Sequence, residues 1–597
     1  YTAFYQKYRS RRQVVYVGAN DGMLHAFNAG FYQRGDDPAT TTVVEHGWFT
    51  RTPSDNSGGP LLGQELWAFI PYQLLPHLKW LTQTDYTHVY YVDLKPKITD
   101  ARIFTPDADH PNGWGTILIG GFRMGGSCQA CTSGTGGPPM TVTADFNGDG
   151  DTADPDDTRT FYSAYFVLDI TNPETDPKLL WVFTEPALGL TTGAPAVLRV
   201  NPSSEQKTSD TNARWFMVVG SGVTGYDGSS AQTSQLFAVD LKIGPKDPTT
   251  GVSVVTTFST GDADAFMGNL ITLDVDLDFR ADAIYGGNTI NNGLAPAWVG
   301  KLYRLTTTGC SVAPCSPGTW GIASGINRVP TVLLSSFPVS GTTQVGPITA
   351  APTITMDDSN HAWVFFGTGR FFDSTDKTNT APQYFMGVKD PVVTGGCTQS
   401  TTTDCEQRDL VNVSSASICI ICAGGTDQVT GVTGVTTFDG TGTTSLIGFV
   451  QSKDGWFTIL PSLGERDVVA PTLIGGTIFF PSFIPVNDIC SAAGDGNLYA
   501  LFYQTGTAYK ESVIGTTVAG SNTNVNQSTS LGNVGVMSQF AVHIGAQGTG
   551  EGGTTGGGGC QSRMGLIGQS GSGATSTICG GTGQSWSRYL SWLNQRD

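Results

Sequence analysis

Short apolar stretches, each closed by Gly, Asn or Asp, recur along the chain. VVYVGANDGMLHAFNAG at residues 14–30 is the clearest case. An apolar strand runs into a tight polar turn and returns as an aromatic and apolar strand, the pattern of an antiparallel hairpin. AYFVLDI at 164–170, SQLFAVDL at 234–241, GKLYRL at 300–305 and GDGNLYALFYQTG at 494–506 repeat its flavour. WVFTE at 181–185, RWFMVVGSG at 214–222, HAWVFFGTG at 361–369 and GTIFFPSF at 476–483 are more uniformly apolar, as strands covered on both faces must be. Repeated hairpins whose inner strands bury both faces are the signature of propeller blades. The pattern therefore predicts an all-β chain forming one β-propeller domain over residues 1–597, with irregular spacing absorbed by insertions. LLPHLKWL at 74–81 is the one brief helical pattern.

Three insertions are expected, at about residues 127–160, 392–443 and 545–583. The last two are rich in Gly, Thr and Ser and poor in apolar residues, so they read as loops whose ordering entropy is hard to offset without disulfides or a partner. With 78 Gly, 31 Pro and only 14% charged residues, composition agrees with short strands and tight turns. A net charge of -18 disfavours nucleic acid and anionic membrane surfaces and favours cations. No apolar run is long enough for a transmembrane segment. The opening YTAFYQKYRSRR lacks the apolar stretch of a signal peptide, which leaves room for a removed upstream segment.

The 11 cysteines fall mostly into near neighbours: Cys128 with Cys131, Cys310 with Cys315, Cys397 with Cys405, Cys419 with Cys422, and Cys560 with Cys579, leaving Cys490 over. Local disulfides formed in an oxidising compartment are the main reading; a four-thiolate zinc site joining CQAC and CIIC is the alternative.

The most informative chemistry is DVDLDFRAD at residues 274–282, flanked by apolar ITL and AIY. Its carboxylates, Asp274, Asp276, Asp278 and Asp282, oppose one another's ionisation unless a hard cation takes their oxygens, so the loop reads as a calcium site. Strands on either side, not helices, separate it from an EF-hand pair. DFNGDGDTADPD, at residues 145–156, offers Asp145, Asn147, Asp149, Asp151 and Asp156 at EF-loop-like spacing, with Gly150 at the sixth position, and reads as a second metal loop. Arg34-Gly35-Asp36 spells an integrin-recognition tripeptide, for which a plain turn is the simpler account.

VYVGANDGMLHAFNAG at 15–30 resembles the opening blade of the PilY (PilC/PilY) family of type IV pilus tip proteins. Collinear segments extend the resemblance: ELWAFIPYQLLPHL from Glu65, WGTILIGGFRMGG from Trp114, YFVLDITNPETDPKLLWVFTE from Tyr165, PITAAPTI from Pro347, VFFGTGRFF from Val364 and GERDVVAPTLIGGTIFFPSFIP from Gly464. It implies a modified propeller of about seven blades at the cell surface or pilus tip. It also implies adhesion to a host or abiotic surface, minor pilins as partners, export through the periplasm, and calcium-dependent control of pilus extension and retraction. The family's large amino-terminal region, often with a von Willebrand A-like module, has no counterpart here, so the chain matches the carboxy-terminal propeller portion. Its DxDxDxxxD calcium loop falls on Asp274, Asp276, Asp278 and Asp282, with Arg280 giving a backbone carbonyl while its guanidinium points away. Phe279 departs from the Gly usual at position six.

No HExxH, GxSxG or GxxxxGK[ST] motif occurs, and neither CxxC is followed by His, so no enzyme is expected. Two other functions stay open. One is a quinoprotein dehydrogenase using pyrroloquinoline quinone and calcium, suggested by GDGNLYALFYQTG but lacking its regular Trp repeat. The other is a glycan-binding propeller using aromatics such as Trp48 or Trp320.

Overall fold

A computed structural model describes residues 1–40, 47–127, 139–206, 209–293, 297–338, 342–392, 406–425, 428–486, 494–533, 535–544, 564–569 and 575–580. The chain divides into two compact units: residues 1–267 with 278–281 and 307–320, and residues 268–277 with 282–306 and 321–597.

In the first unit, Gln13–Gly18, Leu24–Arg34 and Glu65–Phe69 make an opening antiparallel sheet, and Gly47–Thr50 extends the long middle strand's far end. The second sheet runs Lys97–Arg102, Trp114–Gly121, Tyr165–Asp169, Lys178–Phe183 in chain order; the third runs Ala196–Val200, Arg214–Gly220, Gln235–Asp240, Thr256–Ser259. Successive residues of a strand face opposite ways, so a doubly covered strand supplies two cores at once. Ile117, Ile119 and Val167 join Met217, Val219, Phe237 and Val239 in one core, while Leu118, Phe166 and Leu168 join Leu24, Tyr91 and Phe122 in another. That explains why Trp114–Gly121 is buried at every position. Gly120 is required by the packing, because a Cβ there would lie 2.2 Å from the Phe166 ring.

The second unit repeats the scheme. Ala265–Leu273 enters a sheet with Ala283–Asn291, Leu302–Thr306 and Thr331–Leu334. Thr353–Met356, Ala362–Gly367, Tyr384–Asp390 and Gly455–Ile459 form the next, and Thr472–Ile474, Thr477–Pro481, Asp495–Phe502 and Ser528–Asn533 the one after. Within Ala362–Gly367, Val364 and Phe366 pack with Tyr285, Met386 and Phe457, while Trp363 and Phe365 pack with Trp456, Phe480 and Leu501. Ala541–Ile544, Met564–Gln569 and Thr575–Gly580 form a final three-stranded sheet.

The insertions are more ordered than their composition implies. Leu410–Asn412 adds a parallel strand beside Gly455–Ile459. Ser417–Ile421 pairs with Gln428–Thr430 and with Asn522–Val525, which pairs with Thr516–Ala519. Met564–Gln569 and Thr575–Gly580, inside the expected third loop, are also strands. The loop reading failed because it weighed Gly and Thr content and missed pairing with distant segments, which supplies the hydrogen bonds that local composition does not advertise. Cys310–Cys315 and Cys419–Cys422 are disulfide-bonded. The second bond removes the zinc alternative, since an oxidised CIIC has no thiolate to donate. The pairings of Cys128 with Cys131, Cys397 with Cys405 and Cys560 with Cys579, and Cys490, rest on positions or side chains outside the described residues. Trp320 is fully buried, edge-on to Phe216 at 5.2 Å and parallel to Phe258 at 6.3 Å, so it cannot stack on a sugar.

The GERD segment, 464–467, is pinned through buried polar contacts. Glu465 accepts hydrogen bonds from Asn497 Nδ2 at 2.9 Å and the Tyr499 hydroxyl at 2.8 Å. Arg466 donates to the carbonyls of Gly464, Arg370 and Asn379. Asp467 accepts from the Val469 amide through Oδ1, but its buried Oδ2 has no partner. Burial pushes its carboxyl up to about 8 from an ordinary 3.8. His77, in the 3-10 segment Tyr72–Thr82, is the converse: wholly buried, with both ring nitrogens unpartnered, it is pushed down to about 4, by burial first and then by the charge of Lys79.

Two stability predictions follow from these signs. Asp467 binds its proton more tightly folded than unfolded, so its contribution is full below pH about 4 and is lost as pH rises through about 8, on the order of 5 kcal/mol in all. Asp467→Asn should therefore match wild type in urea midpoint at pH 4 and exceed it increasingly up to pH 8; equal midpoints throughout would show that the carboxyl is solvated. His77 contributes fully above pH about 6.5, and that contribution is lost as pH falls through about 4, roughly 3 kcal/mol. His77→Leu should flatten this acid limb of the pH–stability profile.

Candidate metal loops

The first acidic loop links Ala265–Leu273 to Ala283–Asn291, two neighbouring strands, so its ends are fixed by the sheet. The Asp282 amide donates to the Leu273 carbonyl at 2.8 Å, and the Val275 amide donates to Asp282 Oδ2 at 2.7 Å. This closure draws one carboxylate oxygen from each of Asp274, Asp276 and Asp282 to within 4.8 Å of one another. Asp274 and Asp282 are half-buried and Asp276 is exposed. At that separation, each pair of ionised groups repels by about 1 to 3 kcal/mol, depending on whether water or protein screening applies. The donors are all hard carboxylate oxygens at the mouth of a sheet, a set that suits calcium, with room for a backbone carbonyl and water. Zinc would call for nitrogen or sulfur, and magnesium for a stricter octahedron.

Residues 278–281 belong to the first unit. There Asp278 is buried, accepts from the Arg280 amide at 2.9 Å, and lies 3.3 Å from Arg280 Nη1. The Arg280 guanidinium thus turns back to its own loop, contrary to the expectation that it points away, because Asn201 Oδ1 and the Glu205 carbonyl hold its other nitrogens. Arg199 Nη1 donates to the Phe279 carbonyl at 2.9 Å, and the Ala281 amide donates to the Arg199 carbonyl at 3.0 Å. Sequence reasoning missed Arg199 and Asn201; the sole signal was an arginine inside the apolar strand AVLRV. Leu277 and Phe279 have φ of 56° and 66°, so Phe279 adopts the left-handed turn that a glycine at position six would take freely.

The second acidic loop is the end of a hairpin between Met140–Thr143 and Thr158–Phe161. Its carboxylate group is Asp149, Asp151 and Asp154, all exposed and with oxygens within 4.8 Å. Asp154 was not anticipated. Its signal was the Asp-Pro step that starts the turn Pro155–Asp157, where Asp154 and Asp157 cap each other. Asp145 is occupied by the Gly148 and Gly150 amides at 2.6 and 3.0 Å, and Asn147 Nδ2 donates to Asp149 Oδ2 at 3.0 Å. Asp156 lies within that 3-10 turn, and the buried closing carboxylate is Asp157, which accepts from the Phe146 and Asp154 amides. The Asp151 amide foremost, then contacts with Asp154 and Asn147, hold Asp149 below the usual carboxylate range. Arg34-Gly35-Asp36 begins at the end of the strand Leu24–Arg34, with Gly35 at φ 103°.

Comparison with known proteins bears on the whole chain. A family model described as the PilY1 beta-propeller domain matches residues 1–415. A type IV pilus biogenesis factor PilY1 homolog of Xylella fastidiosa is 24% identical over 514 residues, covering 83% of this chain and 26% of the relative. The type IV pilus biogenesis factor PilY1 of Pseudomonas aeruginosa is 25% identical over 538 residues, covering 85% of this chain and 36% of the relative. The chain thus spans 26% and 36% of the length of these relatives. Among solved structures, the crystal structure of the Pseudomonas aeruginosa PilY1 C-terminal domain aligns with a TM-score of 0.57 at 20% identity, covering 98% of this chain and 95% of that one, which shows a shared fold. Stacked antiparallel sheets, the matched family model and this shared fold lead to one assignment: the chain is an all-β propeller and belongs to the PilY1 beta-propeller domain family.

Proposed function

We propose that this chain is the calcium-binding propeller of a type IV pilus-associated surface protein, supporting pilus assembly and regulating extension and retraction without catalytic turnover. The observation that carries the calcium reading is the convergence of Asp274, Asp276 and Asp282 at the end of two paired strands. Three carboxylates drawn together by a sheet cost free energy unless a cation offsets their repulsion, and an all-oxygen set suits calcium. Calcium would be held by these three, with water completing its oxygen shell. Asp149, Asp151 and Asp154 form a weaker second candidate because all three are exposed.

The pilus reading rests on the relatives' description as type IV pilus biogenesis factors. It implies minor pilins as partners, a position at the pilus tip on the cell surface, and adhesion to a host or abiotic surface. Residues 1–597 would form one propeller of about seven blades. The net charge of -18 is consistent with a protein governed by cations.

Calcium titration by calorimetry on wild type, Asp276→Asn and Asp151→Asn separates the loops. Wild type should bind calcium, Asp276→Asn should lose the tighter ion, and Asp151→Asn should leave that ion in place; an unchanged isotherm in Asp276→Asn would remove the first site. Bacteria carrying Asp276→Asn should retain surface pili but lose the calcium dependence of their retraction, and normal calcium-dependent retraction would defeat the regulatory reading.

A further inference from the structure

We propose that the hairpin formed by Thr516–Ala519 and Asn522–Val525 is a docking site for an extended, uncharged peptide segment of a partner protein. The segment would add a strand to the free edge Thr516–Ala519, next to a polar cavity in the same small sheet.

The hairpin's own pairing defines which backbone groups are free. Thr516 pairs with Val525, Thr517 with Asn524, Val518 with Thr523 and Ala519 with Asn522. The Asn526 amide donates to the Gly515 carbonyl at 3.0 Å, so by alternation the hydrogen-bonded pairs fall at Thr517 and Ala519. Thr516 and Val518 therefore turn their amides and carbonyls outward, and among the described residues no strand lies on that side. All four positions of Thr516–Ala519 are exposed, Val518 by 71%. Edges are ordinarily guarded by charge, proline, a bulge or a covering element, as Lys97 and Lys178 guard the two edges of the second sheet. Thr516–Ala519 has no charge, no proline and no break in register. No Asp, Glu, Lys or Arg occurs from Ser512 to Gly550, in a chain of net charge -18. A neutral strand settling here strips no charge of its water, whereas a charged one would lose hydration with nothing to offset it.

A cavity of about 330 Å³ lies against the same hairpin, lined by Ser417, Asn524, Asn526, Gln527 and Ser528 among others. Asn526 accepts from the Thr517 hydroxyl at 2.7 Å, but the side-chain amides of Asn524 and Gln527 have no partner among the described residues. Each offers a donor beside an acceptor, the same pair that a peptide unit presents. No aromatic ring lines the cavity to stack a sugar, and no charged group lines it to hold an ion. The hairpin is also held in place before any partner arrives: Thr523 and Asn524 pair with Ile421 and Cys419, the Ala423 amide donates to Asn522 Oδ1 at 3.1 Å, and Cys419 is bonded to Cys422. Adding a strand to a preformed edge gains main-chain hydrogen bonds without the cost of ordering the receptor. Edge-to-edge pairing of two copies is the weaker account, because four residues span only about 13 Å and bury far less than the ~1,200 Å² of a stable interface, with both copies strongly acidic.

The test is fluorescence-polarisation titration of the full chain with a labelled, end-blocked hexapeptide of alternating threonine and valine carrying one glutamine, beside the same peptide N-methylated throughout. The plain peptide should bind and the methylated one should not, since it cannot donate main-chain hydrogen bonds. Val518→Pro, tolerated at an edge because the lost N–H faces solvent, should weaken binding about tenfold, and Val518→Thr should match wild type. Asn524→Ala should weaken binding to a smaller degree. If Val518→Pro lowers the urea midpoint, Val518→Lys takes its place with the same expectation, because it keeps every backbone group and sets a charge on the edge. No binding to wild type, equal binding of the methylated peptide, or undiminished binding by the position 518 variant would overturn the proposal. So would displacement of the peptide by maltotriose, which would make the cavity a sugar site, or a wild-type dimer in sedimentation that Val518→Lys dissociates, which would give the edge to a second copy.

Discussion

Two-sided burial of the central strands is the constraint on which the structure depends. A strand such as Trp114–Gly121 cannot expose either face, so its sheet needs a neighbour on both sides, and alternate side chains are committed to different cores. At roughly 1.5 to 3 kcal/mol for each large apolar side chain removed from water, such a strand gains enough to outweigh the strict shape demands that accompany it. Those demands are visible where a ring lies against bare backbone, as Phe166 does at Gly120 and Trp456 does at Gly387. The stacked sheets then provide rigid strand ends between which polar loops are strung.

The two acidic loops show what that rigidity does for charge. Asp274 and Asp282 sit where strands that are already paired begin and end, so their carboxylates are brought together by the ladder whether or not the loop favours it. Asp149, Asp151 and Asp154 lie on the tip of a lone two-stranded hairpin, and their arrangement depends on backbone amides and Asn147 within the same turn. The first is a constrained cluster and the second an accommodating one, which is a physical reason to rank them differently although their sequence spacing looks equally suggestive.

Much of the fold was legible because apolar periodicity is a local signal. HAWVFFGTG reads as a doubly covered strand without knowledge of its neighbours, and the structure places Trp363 and Val364 in opposite cores. The loop 274–282 was equally legible, since alternating acids between apolar runs carry their own spacing. The missed features are non-local. Nothing near residues 417–421 announces that residues 522–525 will pair with them, and nothing in DVDLDFRAD announces that Arg199 and Asn201 will grip the Phe279 carbonyl and the Arg280 side chain. Asp154 falls outside the EF-loop spacing from which the ligand positions were read, and its structural role is to cap the following turn.

The small sheet joining Ser417–Ile421 to Asn522–Val525 has a temporal consequence. A chain leaving the ribosome or a translocation channel presents its earlier strand long before the later one exists, and loop-closure entropy delays contacts of such high sequence separation. Until then the apolar edge around Ile418 has only Gln428–Thr430 beside it, with the Cys419–Cys422 bond close at hand. The insertion therefore acts as a late clasp, completed only after the intervening strands Gly455–Ile459, Thr472–Ile474 and Thr477–Pro481 have emerged.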